Sequence, residues 1–169
     1  MSERHVFDPE RLLRSLANND VRFVLVGATA ARLYGFPRMT ADVDIVPAPD
    51  TANLERLASS LKDLGAMVYT ESVPAGLPAD LSARMLGRAE LWNLVTRGGR
   101  LDVIFTPAGT AGYEDLAANA ERFEAFGVSF LVARLEDILR SKIAADRPQD
   151  RNDVVLIREM LARRRSRGE

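Results

Sequence analysis

Two carboxylates one residue apart, Asp42 and Asp44, open what reads as a buried strand, and they constrain this chain more than any other feature. Side chains alternate faces along a strand, so both acids project together while Val43 and Ile45 face apolar packing. Like charges this close raise one another's pKa, and a hard divalent cation such as magnesium between them removes the repulsion. A turn whose aspartates are solvated or cap a helix is the competing reading of the same residues.

At 169 residues the chain suits a single domain over 1–169, with a C-terminal helical element at 134–165 within it. Hydrophobic residues at 47% and charged residues at 28% are ordinary for a folded protein, so disorder is not expected beyond the ends. A net charge of −1 advertises no global attraction to nucleic acid or membrane. The absence of cysteine excludes disulfides, thiolate zinc and cysteine nucleophiles, and the only histidine, His5, lies near the N-terminus with no expected role. No apolar stretch follows residues 1–5 and none elsewhere reaches membrane-spanning length, so a cytoplasmic protein without membrane contact is expected. Only Lys62 and Lys142 are lysines, which makes Lys142 conspicuous among many arginines. The cluster Arg158, Arg163, Arg164, Arg165 and Arg167 reads as a solvated helix end suited to the macrodipole, with phosphate contact as its alternative.

Caps, breakers and periodicity predict the elements. Asp8 and Pro9 start a helix over 9–18; a strand over 21–26 ends at Gly27 and leads into a helix over 28–34 closed by Gly35. The Asp42 strand runs to 46, and Asp50 caps a helix carrying Leu54, Leu57, Leu61 and Leu64 on one face. A strand over 67–70 and a helical turn over 81–86 follow. Strands over 91–96 and 100–105 form a hairpin across Arg97-Gly98-Gly99, whose glycines supply the required positive φ. A short helix over 113–120, strands over 122–126 and 128–132 paired across Gly127, and helices over 135–145 and 150–164 complete the chain. Trp92 reads as core packing, and Asp150 and Asp153 as charges that suit a helix N-terminus.

The hairpin puts Asp102 in the middle of an apolar strand between Leu101 and Val103. An ionised carboxylate there is costly unless it is paired or bound to metal, and the Asp42/Asp44 strand offers a shared cation. Asp102 as an edge residue facing water is the alternative. Three converging aspartates can hold two divalent ions that bind a nucleotide's phosphates, activate an attacking hydroxyl and stabilise departing pyrophosphate.

Several segments in this order resemble the nucleotidyltransferase superfamily of the DNA polymerase β-like fold, and in particular its bacterial branch related to AbiEii-type toxins. Val24-Leu25-Val26-Gly27-Ala28-Thr29-Ala30 is similar to that branch's strand, Gly-Gly or Gly-Ser turn and helix; Arg38-Met39-Thr40-Ala41-Asp42-Val43-Asp44-Ile45 resembles its Arg-x-Thr-x-Asp-hydrophobic-Asp segment. Gly99-Arg100-Leu101-Asp102-Val103-Ile104 resembles the strand bearing the third acid. Residues 135–142 and Asp150-Arg151-Asn152-Asp153 are similar to its C-terminal helices, so the likeness spans 21–161.

The resemblance implies an α+β nucleotidyltransferase fold: a mixed β-sheet with helices packed on it and a C-terminal helical pair. It implies transfer of a nucleoside monophosphate from an NTP to an acceptor with two Mg2+ ions, with Asp42, Asp44 and Asp102 as catalytic metal ligands. Gly27 becomes a phosphate cradle, since main-chain N–H groups at a glycine turn opening a helix attract anions. Ala28 departs from the pattern: it presents an N–H but no hydroxyl and is unsuited to positive φ, with Thr29 the nearest hydroxyl to replace it. Arg38 and Thr40 contact phosphate or organise the loop, against an exposed arginine and a strand-start threonine as plainer readings. Lys142 neutralises the triphosphate, or is a surface lysine paired with Asp146 four residues on. The toxin branch further implies a tRNA end or protein hydroxyl as acceptor and a cognate antitoxin as partner. An antibiotic adenylyltransferase, or a catalytically weakened module that binds a protein or nucleic-acid partner, are the alternatives.

Overall fold

Asp8 accepts a hydrogen bond from the Arg11 main-chain N–H at 3.0 Å and Pro9 occupies the first turn, so α1 (Pro9–Asn18) forms where predicted and buries Leu12, Leu13 and Leu16. This computed structural model describes residues 6–169; His5 and the N-terminal expectation attached to residues 1–5 lie outside them.

Seven strands follow: β1 (Phe23–Val26), β2 (Asp42–Pro47), β3 (Met67–Val68), β4 (Leu91–Thr96), β5 (Gly99–Ile104), β6 (Glu121–Ala125) and β7 (Val128–Val132). They make one mixed sheet in the order β3-β4-β5-β2-β1-β7-β6. β2 is antiparallel to β1 and parallel to β5, while β1 is parallel to β7. β4 and β5 form the predicted hairpin, and β6 and β7 pair across Phe126 and Gly127, both at positive φ. β5 is therefore an interior strand, flanked on both sides, and Asp102 is not an edge residue.

The helices are α2 (Gly27–Leu33), α3 (Thr51–Asp63), α4 (Ala83–Leu86), α5 (Tyr113–Ala117), α6 (Leu135–Ala145) and α7 (Pro148–Ser166). Asp50 caps α3 by accepting from the Asn53 N–H at 3.1 Å, and Leu54, Leu57 and Leu61 enter the core. Asn53 itself is fully buried and satisfied: its carbonyl oxygen accepts from Arg22 N at 2.7 Å, and its amide donates to Arg22 O at 2.9 Å and Ala48 O at 2.8 Å. That staple ties the start of β1 to the end of β2 and holds the two site-bearing strands in register. Leu25, Ile45, Leu57, Leu101 and Leu12 are wholly buried in the core, each contributing about 1.5–3 kcal/mol by removal from water.

Four elements are shorter than their sequence signals, with α4 starting at Ala83 rather than at 81 and α5 stopping at Ala117 rather than at 120. β1 starts at Phe23, not Val21, and β3 stops at Val68, although the Tyr69 N–H still donates to Asn93 O at 2.8 Å. No helix among the described residues is long and apolar enough to cross a membrane.

Candidate active site

The register of the sheet builds the site. β2 runs opposite to β1, so its first residues meet the last of β1: Val26 faces Asp44 across the ladder. In the parallel pair of β2 and β5, Asp44 lies beside Asp102 and Asp42 beside Arg100. Paired residues project to the same side of a sheet, which puts all three acids on one face. One carboxylate oxygen from each of Asp42, Asp44 and Asp102 lies within 4.8 Å of the others.

Gly27 closes the site from the β1 side. Its φ is +70°, and a Cβ added there would stand 2.1 Å from Asp44 Oδ2, so two separate constraints demand glycine. Ala28 is not at positive φ; the left-handed residue of the turn is Gly27 alone, and the strain expected at Ala28 is absent. Ala28 is buried and lines the cleft as the second residue of α2. The Thr29 hydroxyl does not replace the missing side-chain oxygen at the turn: it donates to the Asp42 carbonyl at 2.6 Å. Thr40 donates to Asp42 Oδ1 at 2.9 Å. Both threonines thus orient Asp42.

Nothing among the described residues fully neutralises the acids. Burial, with Asp42 and Asp102 beside it, pushes the Asp44 carboxyl up to about 8. Burial raises Asp102 to about 6; the Arg100 guanidinium opposes the rise and Asp42 adds to it. Asp102 Oδ1 is buried with no hydrogen-bond partner, and Arg100 Nη2, at 3.6 Å, is too far to serve as one. Arg100 is instead held over the Tyr69 ring, 3.7 Å from its centroid, which places a tyrosine the sequence left unassigned. Three hard oxygen donors, with Asp102 orphaned and raised in pKa and Asp44 raised too, fit a divalent cation of the magnesium class.

The triad opens into a cleft of about 470 Å³ that also takes in Gly27, Ala28, Arg38, Thr40 and Lys142. Thr29 alone of the expected site residues does not line it. Lys142 is 8% exposed, and its ammonium donates to Asp150 at 3.1 Å and Asp153 at 2.8 Å. The expected pairing with Asp146 is not formed, because Asp146 ends α6 in the left-handed conformation and accepts from Arg151. Arg38 donates to Asp153 Oδ2 at 2.7 Å.

Sequence reasoning missed four residues of the cleft region. Asp150 caps the start of α7 as expected, accepting from the Arg147 main-chain N–H at 3.3 Å, but it and Asp153 are also buried partners of Lys142. Arg147, the residue before α7, lines the cleft and donates to Asp150 through Nε at 2.7 Å. Asn93 lies beside Asp102 in the β4–β5 register and faces the cleft; its place followed from the hairpin alternation that put Asp102 there. Trp92 packs against the core and donates its indole N–H to Leu86 O at 3.0 Å, the packing role the sequence suggested.

No family model matches the chain, and no curated protein matches it. Among solved structures, it superposes on the lincosamide antibiotic adenylyltransferase LnuA, bound to lincomycin, with a TM-score of 0.59 and 14% identity over 92% of this chain and 98% of that one. It superposes on TM1012 of Thermotoga maritima, assigned as a nucleotidyltransferase, with a TM-score of 0.56 and 16% identity over 97% of this chain and the whole of that one. The fold is that of the nucleotidyltransferases. Within the nucleotidyltransferase fold seen here, the three acids, the glycine turn and the basic residues Arg38, Lys142 and Arg147 all line one cleft.

Proposed function

We propose that the chain is a metal-dependent nucleotidyltransferase that moves a nucleoside monophosphate from an NTP to an acceptor hydroxyl. The observation that carries this reading is the convergence of Asp42, Asp44 and Asp102 beside the Gly27 turn, with one buried carboxylate oxygen left unpartnered. Asp42, Asp44 and Asp102 would hold divalent ions of the magnesium class. Bound there, such ions neutralise phosphate charge and favour both the nucleophile and the leaving group.

The chain's own groups supply the rest. Asp102, raised to about 6, accepts the proton of the acceptor hydroxyl as its oxygen attacks the α-phosphorus; the bond from that phosphorus to the bridging oxygen breaks, and pyrophosphate leaves. Thr29 and Thr40 fix Asp42. The N–H groups at Gly27 and Ala28 face the triphosphate, and Arg38 answers its charge from the opposite wall.

For the acceptor, the likeness of the Arg38–Asp44 segment to AbiEii-type toxins supports a tRNA end or protein hydroxyl, and hence a toxin with a cognate antitoxin. The second reading is a small drug hydroxyl, supported by the superposition over nearly all of LnuA. A purely binding module is disfavoured, because three converging acids are costly to keep without a cation.

Incubation with each labelled NTP and Mg2+, against total RNA, a lysate and a panel of aminoglycosides and lincosamides, tests the assignment. Label should enter one fraction in wild type and none in Asp42→Asn. Equal labelling in both would refute the proposed chemistry.

A further inference from the structure

Five charged side chains behind the cleft are arranged as a frame that presents two guanidinium groups. Lys142 is buried at the centre, joining Asp150 and Asp153, which lie at 0% and 1% exposure. Each aspartate then holds one arginine. Asp153 Oδ2 accepts from Arg38 Nη2 at 2.7 Å. Asp150 accepts from Arg147 through Nε at 2.7 Å and Nη2 at 3.3 Å, and burial, which alone would raise its pKa, is outweighed by these bonds and by Lys142, so it is held below the usual carboxylate range.

Counting donors separates the roles of the three cations. An ammonium has three N–H bonds, and Lys142 spends two of them on the aspartates while its stem is buried. A guanidinium has five. Arg147 spends two on Asp150 and Arg38 one on Asp153, and both side chains are about half exposed or more where they border the cleft. Three cations face two anions, which leaves one positive charge in excess opposite the acidic triad. The arginine that the motif reading omitted is therefore better placed to meet phosphate than the lysine it selected.

We propose that Arg147 and Arg38 form a two-pronged clamp for the polyphosphate of the nucleotide, with Asp150, Asp153 and Lys142 as the positioning residues that aim it. This rests on the nucleotidyltransferase reading above. Planar, pre-aimed guanidinium groups suit phosphate oxygens and lose little side-chain freedom on binding, because the frame has already fixed them. Lys142 acts through the two aspartates and touches no phosphate.

The test is equilibrium binding of Mg2+–tripolyphosphate and Mg2+–ATP to the full chain by calorimetry. Arg147→Met should weaken both on the order of 10–100-fold while leaving affinity for AMP within about 2-fold, since one charge-assisted bidentate contact to the β and γ groups is lost. Asp150→Asn keeps shape and removes charge; it should weaken tripolyphosphate about 5-fold, and the double variant should be no weaker than Arg147→Met alone. Arg147→Lys should recover only part of the affinity, since an ammonium cannot reproduce the fork. Additive losses in the double variant, or unchanged tripolyphosphate affinity in Arg147→Met with wild type binding normally, would overturn the clamp and leave the triad chemistry standing. Wild type that binds neither probe with Mg2+ would remove both.

Discussion

The acidic wall of the cleft holds three partly buried carboxylates and the basic wall sets two half-exposed arginines and a buried lysine on two buried aspartates, yet only the second pairs its acids from within the chain. Lys142, Asp150, Asp153, Arg38 and Arg147 form a closed set of ion pairs at 2.7–3.1 Å. Asp42 has the help of two threonine hydroxyls and Asp102 only a distant arginine, while burial and the neighbouring acids raise Asp44 and Asp102 against the pull of Lys142 and Arg147 on Asp44 and of Arg100 on Asp102. In the basic wall every carboxylate is paired and the arginines keep donors to spare; in the acidic wall the carboxylates lack a cation and call for one from outside. The contrast sets a wall whose acids are paired against one whose acids are not, without appeal to any relative.

Breaking the closed set should produce the largest stability effect. Lys142→Met takes from each of two buried carboxylates one of its two cationic partners, leaving Asp150 with Arg147 and Asp153 with Arg38, and should cost about 3 kcal/mol in chemical denaturation. On the open side the same kind of change should act in the other direction: Asp44→Asn should raise the melting temperature of metal-free protein at pH 8, where it removes an unfavourable charge, while abolishing stabilisation by Mg2+.

Gly27→Ala comes next. Forcing alanine into the left-handed region costs about 1–3 kcal/mol, and its methyl meets the Asp44 carboxylate, so thermal stability and metal affinity should fall together. A stable variant with unchanged metal affinity would show that the close approach is dispensable.

The pH dependence sharpens the comparison further. Asp44 at about 8 and Asp102 at about 6 bind protons more tightly folded than unfolded, so between about pH 4 and 8 the folded state holds more protons and stability falls as pH rises. Magnesium competes with those protons, so the thermal shift it produces should be larger at pH 8 than at pH 6. The smallest effect belongs to Thr40→Val, which loosens Asp42 without removing an acid and should lower turnover several-fold, on the order of the 1 kcal/mol worth of one hydrogen bond, with little change in stability.

Much of this was legible before the structure. Helix α1 begins where the Asp8 cap and Pro9 put it, α6 spans the predicted 135–145 before the break at Arg147-Pro148, and the Arg97–Gly99 turn fixed the hairpin that carries Asp102 inward. What escaped the sequence is what depends on two elements meeting. Lys142 was paired with Asp146 by helix spacing, but Asp146 leaves the helix in the left-handed conformation, and the true partners lie eight and eleven residues away on the next helix. Asp150 and Asp153 had a sufficient local explanation at a helix start, which concealed their burial. The strain expected at Ala28 rested on the wrong residue of the turn, since Gly27 alone takes the positive φ. The Thr29 hydroxyl could not be aimed from sequence, because its acceptor is a main-chain carbonyl thirteen residues on.

Manganese binding followed by electron paramagnetic resonance in the presence of ATP tests the central claim most directly. Wild type should take up manganese in an ATP-dependent manner, and Asp44→Asn and Asp102→Asn should each lose that uptake while remaining folded. Uptake unchanged in both variants would mean that the three acids do not share a cation, and the reading of this cleft as a nucleotidyl-transfer site would be abandoned.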